Sequence, residues 1–255
     1  MKVNKELPLC IGKRNTKTHR IAKVMNVTSN RRNTIIRYLN MTFSPKAESI
    51  LGQLDSKTKL GELRNIAKKI KKDHSLAMEL WASEKFIARQ LSILIMDNKS
   101  LTQELIDKLD KDIQTHTLNE RNQLIDWLMA NQLTKDKKSV ALIQSWENNL
   151  TALKRRVFWY YQARRRWMGQ VPPDNTEYLV TAIELKIAKE QPEVQWAMNF
   201  TAGWIGVFDK KYRTHCIAVG ENTGLYKGEM VSKGCTPDYL PDFISIEAKK
   251  RNLYN

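Results

Sequence analysis

Hydrophobic positions recur with a helical period from residue 46 onward, and short polar breaks separate the periodic stretches. The pattern predicts eleven helices, over residues 46–54, 59–71, 75–81, 84–97, 102–113, 119–130, 137–147, 150–168, 176–190, 192–208 and 210–220. No stretch shows the strict alternation of apolar and polar residues that is typical of a strand. The sequence therefore predicts an all-α protein made of successive helical hairpins.

Residues at the predicted helix ends support these boundaries. Asn175 is expected to cap the helix over 176–190, and Pro192 suits the first turn of the helix that follows. Gly220 and Gly224 suit helix ends, because glycine readily adopts the left-handed conformation that closes a helix.

Two segments of the chain share one arrangement of residues. Trp81 closes a predicted helix and Arg89 follows a turn into the next. Trp146 stands in the matching place of the later segment, and either Lys154 or Arg155 matches Arg89. Repeated helical pairs of this kind are typical of an α-solenoid, in which the second helices line a concave surface. Arg89 then either reaches a phosphate or bridges two repeats, and the pattern leaves both alternatives open.

The stretch 150–168, LTALKRRVFWYYQARRRWM, combines arginines and aromatic residues on one predicted helix. A helical wheel gathers six apolar or aromatic residues on the side expected to be buried: Leu150, Leu153, Val157, Tyr160, Tyr161 and Met168. The opposite side carries Arg155, Trp159, Gln162 and Arg166, which are neighbours at helical spacing. These four residues, called the arginine ridge below, predict an exposed surface for a polyanion; a solvated charged face is the alternative.

The net charge of the chain favours a polyanion-binding surface over a solvated charged face. Lys and Arg number 43 against 27 Asp and Glu, a net charge of +16, as expected of a protein that meets phosphates. Ten of these basic residues lie in the first forty positions, where Glu6 is the single acid. We expect residues 1–45 to form a basic, partly helical arm packed on the repeats, and 46–255 to form one continuous repeat domain. The arm either follows a nucleic-acid backbone or is a solvated terminus.

Several classes of protein have no support in this sequence. It contains no Walker motif, no GxSxG elbow, no HExxH and no dinucleotide-binding glycine motif. The cysteines and histidines lack the spacing of metal ligands, so we expect neither a metal nor another cofactor. There is no apolar run of about 18 residues and no signal-peptide core. We therefore expect no membrane partner, a cytoplasmic, nucleoid-associated location and a monomer.

Three segments resemble one known family: residues 60–97, residues 193–209 (EVQWAMNFTAGWIGVFD) and residues 231–244 (VSKGCTPDYLPDFI). The last is similar to a C-terminal signature of the form SKGCTxxYxPxxI. The family is the DNA alkylation repair family, the AlkD-like proteins built from HEAT-like helical repeats. The resemblance covers residues 46–246 and implies a curved α-solenoid whose basic concave face binds duplex DNA.

The resemblance also implies roles for individual residues. Some members are glycosylases that remove N3- and N7-alkylated purines, whereas others in the wider superfamily bind DNA without excision. The position of the catalytic aspartate falls on Asp126, and that of its tryptophan falls on Asn122, which departs from the family pattern, although Trp127 stands beside the acid. Arg155 matches the arginine that holds a backbone phosphate, and Phe200 matches a second aromatic wall. The alternatives are an ordinary exposed acid for Asp126 and a core residue for Phe200.

Excision of an alkylated purine requires few catalytic groups at such a site. An alkylated purine is cationic and leaves readily, so a fixed carboxylate and a positioned water can stabilise the oxocarbenium-like transition state. Lys233, between Ser232 and Gly234, either presents its ammonium to a phosphate or belongs to a structural C-terminal cap. We therefore expect a duplex-DNA-binding repair protein that hydrolyses the N-glycosidic bond of alkylated purines. The alternatives are a non-catalytic protein that recognises distorted or branched DNA, and a scaffold for protein or RNA.

Overall fold

The computed structural model describes residues 42–170 and 172–253. These residues form two compact units, an N-terminal unit that ends at Trp146 and a C-terminal unit that begins at Glu147. The predicted basic arm lies outside the described residues, apart from residues 42–45. The single continuous domain over 46–255 stays a prediction.

Seven α-helices make up the described part of the N-terminal unit: α1 (Pro45–Gln53), α2 (Leu60–Ile70), α3 (His74–Ala82), α4 (Phe86–Ile95), α5 (Gln103–Ile113), α6 (Leu118–Asn131) and α7 (Lys137–Gln144). Helix α3 packs against α4, and α4 also packs against α2 and α6. Leucines from all four of these helices are fully buried, namely Leu63, Leu80, Leu91 and Leu124. The core of this unit therefore lies where successive helical pairs stack.

Five α-helices make up the described part of the C-terminal unit: α8 (Ala152–Trp167), α9 (Thr176–Lys186), α10 (Pro192–Phe208), α11 (Lys210–Thr223) and α12 (Leu240–Lys250). Helix α10 packs against α8, α11 and α12. A Cβ added at Gly203 would lie 2.7 Å from a ring carbon of Phe243, and one at Gly206 would lie 2.5 Å from Ile244. The two glycines let α12 approach α10 closely.

Side-chain caps explain where several helices begin. Ser44 accepts a hydrogen bond from the backbone N–H of Ala47 at the start of α1, and Asp73 accepts one from Leu76 at the start of α3. Helix α6 begins with a capping box, in which the Thr117 hydroxyl accepts from the N–H of Glu120 and the Glu120 carboxylate accepts from the N–H of Thr117. Each cap satisfies an N–H that has no partner within the helix.

The all-α prediction is confirmed, since residues 42–170 and 172–253 contain no strand. All eleven predicted helices are present, with ends that differ by at most four residues. The sequence analysis misses α12, because Pro237 and Pro241 indicate a break there. Pro241 instead occupies the first turn of the helix, where its missing N–H needs no partner. No helix in the described ranges is long and apolar enough to cross a membrane.

The predicted boundary residues are confirmed in part. Pro192 starts α10, and Gly224 closes α11 with a φ of +61°. The prediction for Gly220 is wrong, because it lies inside α11, where a Cβ would stand 2.6 Å from the Cβ of Leu240. Asn175 precedes α9 as predicted, but its side chain makes no cap hydrogen bond to the helix.

Candidate nucleic-acid interface

The predicted exposure of the arginine ridge, which lies on α8, is wrong for three of its four members. Trp159, Gln162 and Arg166 are only 1, 3 and 5 % exposed. The opposite side of the wheel is buried as predicted at Leu153, Val157, Tyr160 and Tyr161. Leu150 and Met168 are exposed, since they lie beyond the two ends of the helix. Helix α8 is therefore buried on both sides and offers no ridge of four side chains to a polyanion.

Polar residues of α8 tolerate burial because they have partners. The Arg166 guanidinium donates to the carbonyl of Gln162 at 3.1 Å and to the hydroxyl of Thr176 at 3.0 Å. Asn175 donates its amide to the Gln162 side chain at 3.4 Å. Burial, helped by nearby Arg165, lowers the pKa of Arg166 to about 10, so the guanidinium stays charged at neutral pH. Arg166 thus connects α8 to the start of α9.

Arg155 is partly exposed, but its guanidinium makes four hydrogen bonds within the C-terminal unit. Nε and Nη2 donate to the two carboxylate oxygens of Glu190, at 3.0 and 2.8 Å. Nη1 donates to the carbonyls of Asn149 at 2.8 Å and Leu150 at 3.2 Å. Such a bidentate pair is among the stronger polar contacts in proteins. A phosphate would have to displace Glu190, and the predicted phosphate contact of Arg155 stays a prediction.

Arg89 bridges consecutive helices, which is one of the two alternatives that its sequence position leaves open. The side chain is 3 % exposed and donates to the carbonyls of Trp81 at 3.2 Å and Asp112 at 2.8 Å. Its Nη1 also lies 2.7 Å from Nε2 of His116. Burial, together with the charge of Arg89, lowers the pKa of His116, so the imidazole is neutral at pH 7 and Nε2 accepts. Arg89 presents almost no surface to a phosphate.

Asp126 lies in the middle of α6 and is 4 % exposed. The alternative that it is an ordinary exposed acid is therefore wrong. Asn122, one turn earlier, has a buried side-chain oxygen without a hydrogen-bond partner. Trp127 donates its ring N–H to the carbonyl of Gln90 at 3.2 Å, and Arg64 lies 5.3 Å above its ring. The catalytic role of Asp126 stays a prediction, and the structure gives it very little contact with solvent.

Phe200 is half-buried within an aromatic cluster of the C-terminal unit. Its ring stacks on Trp196 at a centroid distance of 4.9 Å, and meets Tyr160 and Phe243 edge-on at 5.6 and 5.8 Å. These contacts account for the ring as a packing residue. Its predicted role as an aromatic wall for a base stays a prediction.

Lys233 is exposed, in the turn that precedes α12. Gly234 follows it with a φ of +86°, and the N–H of Cys235 closes the turn on the carbonyl of Ser232 at 2.9 Å. Asp238 anchors the end of this segment to α10, since its carboxylate accepts from Trp196 at 3.1 Å. The segment around Lys233 thus has a structural role. The side chain of Lys233 is exposed, so a phosphate could reach its ammonium.

The sequence analysis overlooks one basic surface. Arg64, Ala67, Lys68, Lys71, Lys72 and Leu94 line a groove of about 370 Å³ in the N-terminal unit, called the α2 groove below. The run Lys68-Lys69-Ile70-Lys71-Lys72 is the signal in the sequence that could have indicated it.

In the part of the chain that the structure describes, no three His, Cys, Asp or Glu side chains could hold a metal ion.

The packed helical pairs define the class of the molecule, which is an all-helical HEAT-like repeat protein. The chain is similar to a solved structure from a new family of proteins related to the HEAT-like repeat DNA glycosylases, with affinity for branched DNA structures. The TM-score is 0.57 at 15% identity, over 86% of this chain and 93% of that chain. At this identity the similarity shows the fold. No protein-family model matches the chain, and no curated protein matches its sequence.

Proposed function

We propose that this protein binds DNA, branched DNA included, through phosphate contacts and does not excise bases. The observation that carries the proposal is the burial of Asp126, at 4 % exposed, in a HEAT-like repeat protein with a net charge of +16. A carboxylate that stabilises an oxocarbenium-like transition state must lie against the sugar. A buried Asp126 does not reach a sugar, and Asn122 supplies no aromatic face beside it.

Charge and fold support DNA as the partner. A surplus of 16 positive charges attracts a polyanion at long range. The solved structure with the same fold belongs to a family with affinity for branched DNA. Phosphate contacts fix position on DNA and carry no sequence information, so recognition would depend on the shape of the DNA. Branched DNA differs from a plain duplex in that respect.

The test compares binding with excision in one preparation of the full chain. We expect the protein to bind a labelled four-way junction more tightly than a duplex of the same sequence, with affinity that falls steeply with salt. We also expect it to release no methylated base from alkylated duplex beyond a protein-free control. Anisotropy measures the binding, and chromatography of the supernatant measures free base.

Opposite results separate the alternatives. Release of methylated base by the wild type, lost in a folded Asp126→Asn variant that still binds DNA, would establish the glycosylase and contradict the proposal. Preference for RNA, or no DNA binding at low salt, would instead favour a scaffold for RNA or protein.

A further inference from the structure

The α2 groove lies between helices α2 and α4, and four of its six lining residues are basic. Arg64, Lys68 and Lys71 come from one side of α2 and the residue after its end, and Lys72 follows. Ala67 and Leu94 form an apolar floor between the charges. None of the described residues that line the groove is acidic. The surface therefore combines concentrated positive charge with a shape open to an elongated ligand.

Two of the four groove cations, Lys68 and Lys71, have no counter-charge among the described residues. Lys68, Lys69 and Lys71 are exposed and form no ion pair or hydrogen bond through their side chains with any described residue. Lys72 is the exception, since its ammonium lies 3.1 Å from Asp97 and 3.0 Å from the side-chain oxygen of Asn98. Arg64 is exposed, with its guanidinium over the ring of Trp127. Unpaired lysines need no rearrangement to meet an external anion.

The spacing of the cations fits a chain of phosphates. Arg64 and Lys68 stand one turn apart on the same face of α2, at i and i+4, and Lys71 is the residue that follows the end of the helix. A helix rises about 1.5 Å per residue, so the three side chains start within about 10 Å of one another along the helix axis. One DNA strand presents a phosphate about every 3.4 Å along its axis. Two or three consecutive phosphates therefore lie within reach of these side chains.

Lys71 occupies a backbone conformation that lysine rarely adopts. Its φ is +66° and its ψ is −148°, a region that belongs almost exclusively to glycine. The residue ends α2, and its N–H donates to the carbonyl of Ala67 at 2.8 Å. Glycine would relieve the strain and keep this hydrogen bond. Lys71 therefore places a cation at the rim of the groove although its backbone conformation favours glycine.

We propose that the α2 groove binds the phosphodiester backbone of DNA, with Lys68 and Lys71 as direct phosphate ligands and Arg64 beside them. This site rests on the proposed function, since it is the place where the bound DNA would contact the N-terminal unit. The apolar floor lies against the sugars between successive phosphates. No base contact is involved, so the site does not distinguish sequences.

The test uses the full chain and a fluorescently labelled four-way junction. The groove variant is Lys68→Ala with Lys71→Gly, which removes two charges. The matched control is Lys108→Ala with Lys111→Ala, which removes two exposed charges from α5 of the same unit. Anisotropy titrations from about 50 to 200 mM salt give the affinity and its salt dependence.

We expect the groove variant to bind about tenfold more weakly than the control at low salt. The slope of log K against log salt should fall in magnitude by about 1.8, because each lost phosphate contact contributes about 0.9. The control should stay within about twofold of the wild type. Thermal denaturation should show that the groove variant is at least as stable as the wild type, since Lys71→Gly relieves strain, so weaker binding would not reflect unfolding.

Two results would overturn the site. If the groove variant and the control bind equally while the wild type binds DNA, the groove is not the contact surface, and the proposed function still stands. If the wild type binds no DNA at low salt, the proposed function and the site fail together. A second variant, Lys68→Glu, reverses one charge at an exposed helical position that glutamate tolerates well. It should weaken binding more than Lys68→Ala, and equal binding would also count against the site.

Discussion

Arg89 and Arg155 occupy the same place in two helical pairs, one in each unit. Each is the fourth residue of its helix, α4 or α8, and each donates to carbonyls that end the preceding segment, those of Trp81 or of Asn149 and Leu150. Each also reaches the end of a later segment. Arg89 binds the carbonyl of Asp112 near the end of α5, whereas Arg155 binds the carboxylate of Glu190 after α9.

The difference between them lies in the partner and the exposure. Arg89 is buried against neutral carbonyls and a neutral imidazole, while Arg155 keeps 14% of its side-chain surface exposed and forms an ion pair. In both cases the guanidinium donates hydrogen bonds to backbone carbonyls at or near helix ends, and its partners lie within the fold. The proposed DNA contact therefore uses side chains without partners among the described residues, Lys68 and Lys71.

The largest effect is expected from Arg89→Met, which keeps the bulk of the side chain and removes its donors. Buried carbonyls of Trp81 and Asp112 would lose their charged partner, and we expect the free energy of unfolding to fall by about 3 kcal/mol. Urea denaturation followed by circular dichroism measures the loss. The matched control is Lys85→Met, an exposed neighbour, which should change the stability by less than about 0.5 kcal/mol. Equal effects for the two variants would show that the hydrogen bonds of Arg89 do not stabilise the fold.

A smaller effect is expected from Arg155→Met, because water can reach Glu190 once the guanidinium is gone. We expect the free energy of unfolding to fall by about 1 to 2 kcal/mol. A double-mutant cycle with Glu190→Gln isolates the ion pair, and its coupling energy should be about 1 kcal/mol. A coupling energy near zero would mean that the observed pair adds nothing to the stability of the C-terminal unit.

Much of the fold could be predicted from the sequence, because helical periodicity and capping residues are local signals. The repeated tryptophan pattern left Lys154 and Arg155 as alternatives for the position that matches Arg89, and the structure shows that Arg155 occupies it. The helical wheel failed on α8, since it assumes that polar residues face solvent, and Gln162 and Arg166 are buried with hydrogen-bond partners. These partners include Thr176 at the start of the next helix, and a helical wheel of α8 alone does not contain them.

The candidate site was harder to predict for the same reason. The arginines of α8 stand among aromatic residues, a pattern that predicts a polyanion-binding surface. Arg155 and Arg166 are instead hydrogen-bonded within the fold. The lysines of α2 form a plain basic run without aromatic residues, and only their lack of partners distinguishes them. Asp126 also required the structure, since a carboxylate within an amphipathic pattern gives no sign of whether it is buried.

The most direct test of this account is the junction affinity of folded Arg155→Met, because the same arginine is the phosphate ligand implied by the family resemblance. We expect binding within about twofold of the wild type and an unchanged salt slope, because the guanidinium is paired with Glu190. A loss of about tenfold, with the slope reduced by about 0.9, would place Arg155 on a phosphate and contradict the account.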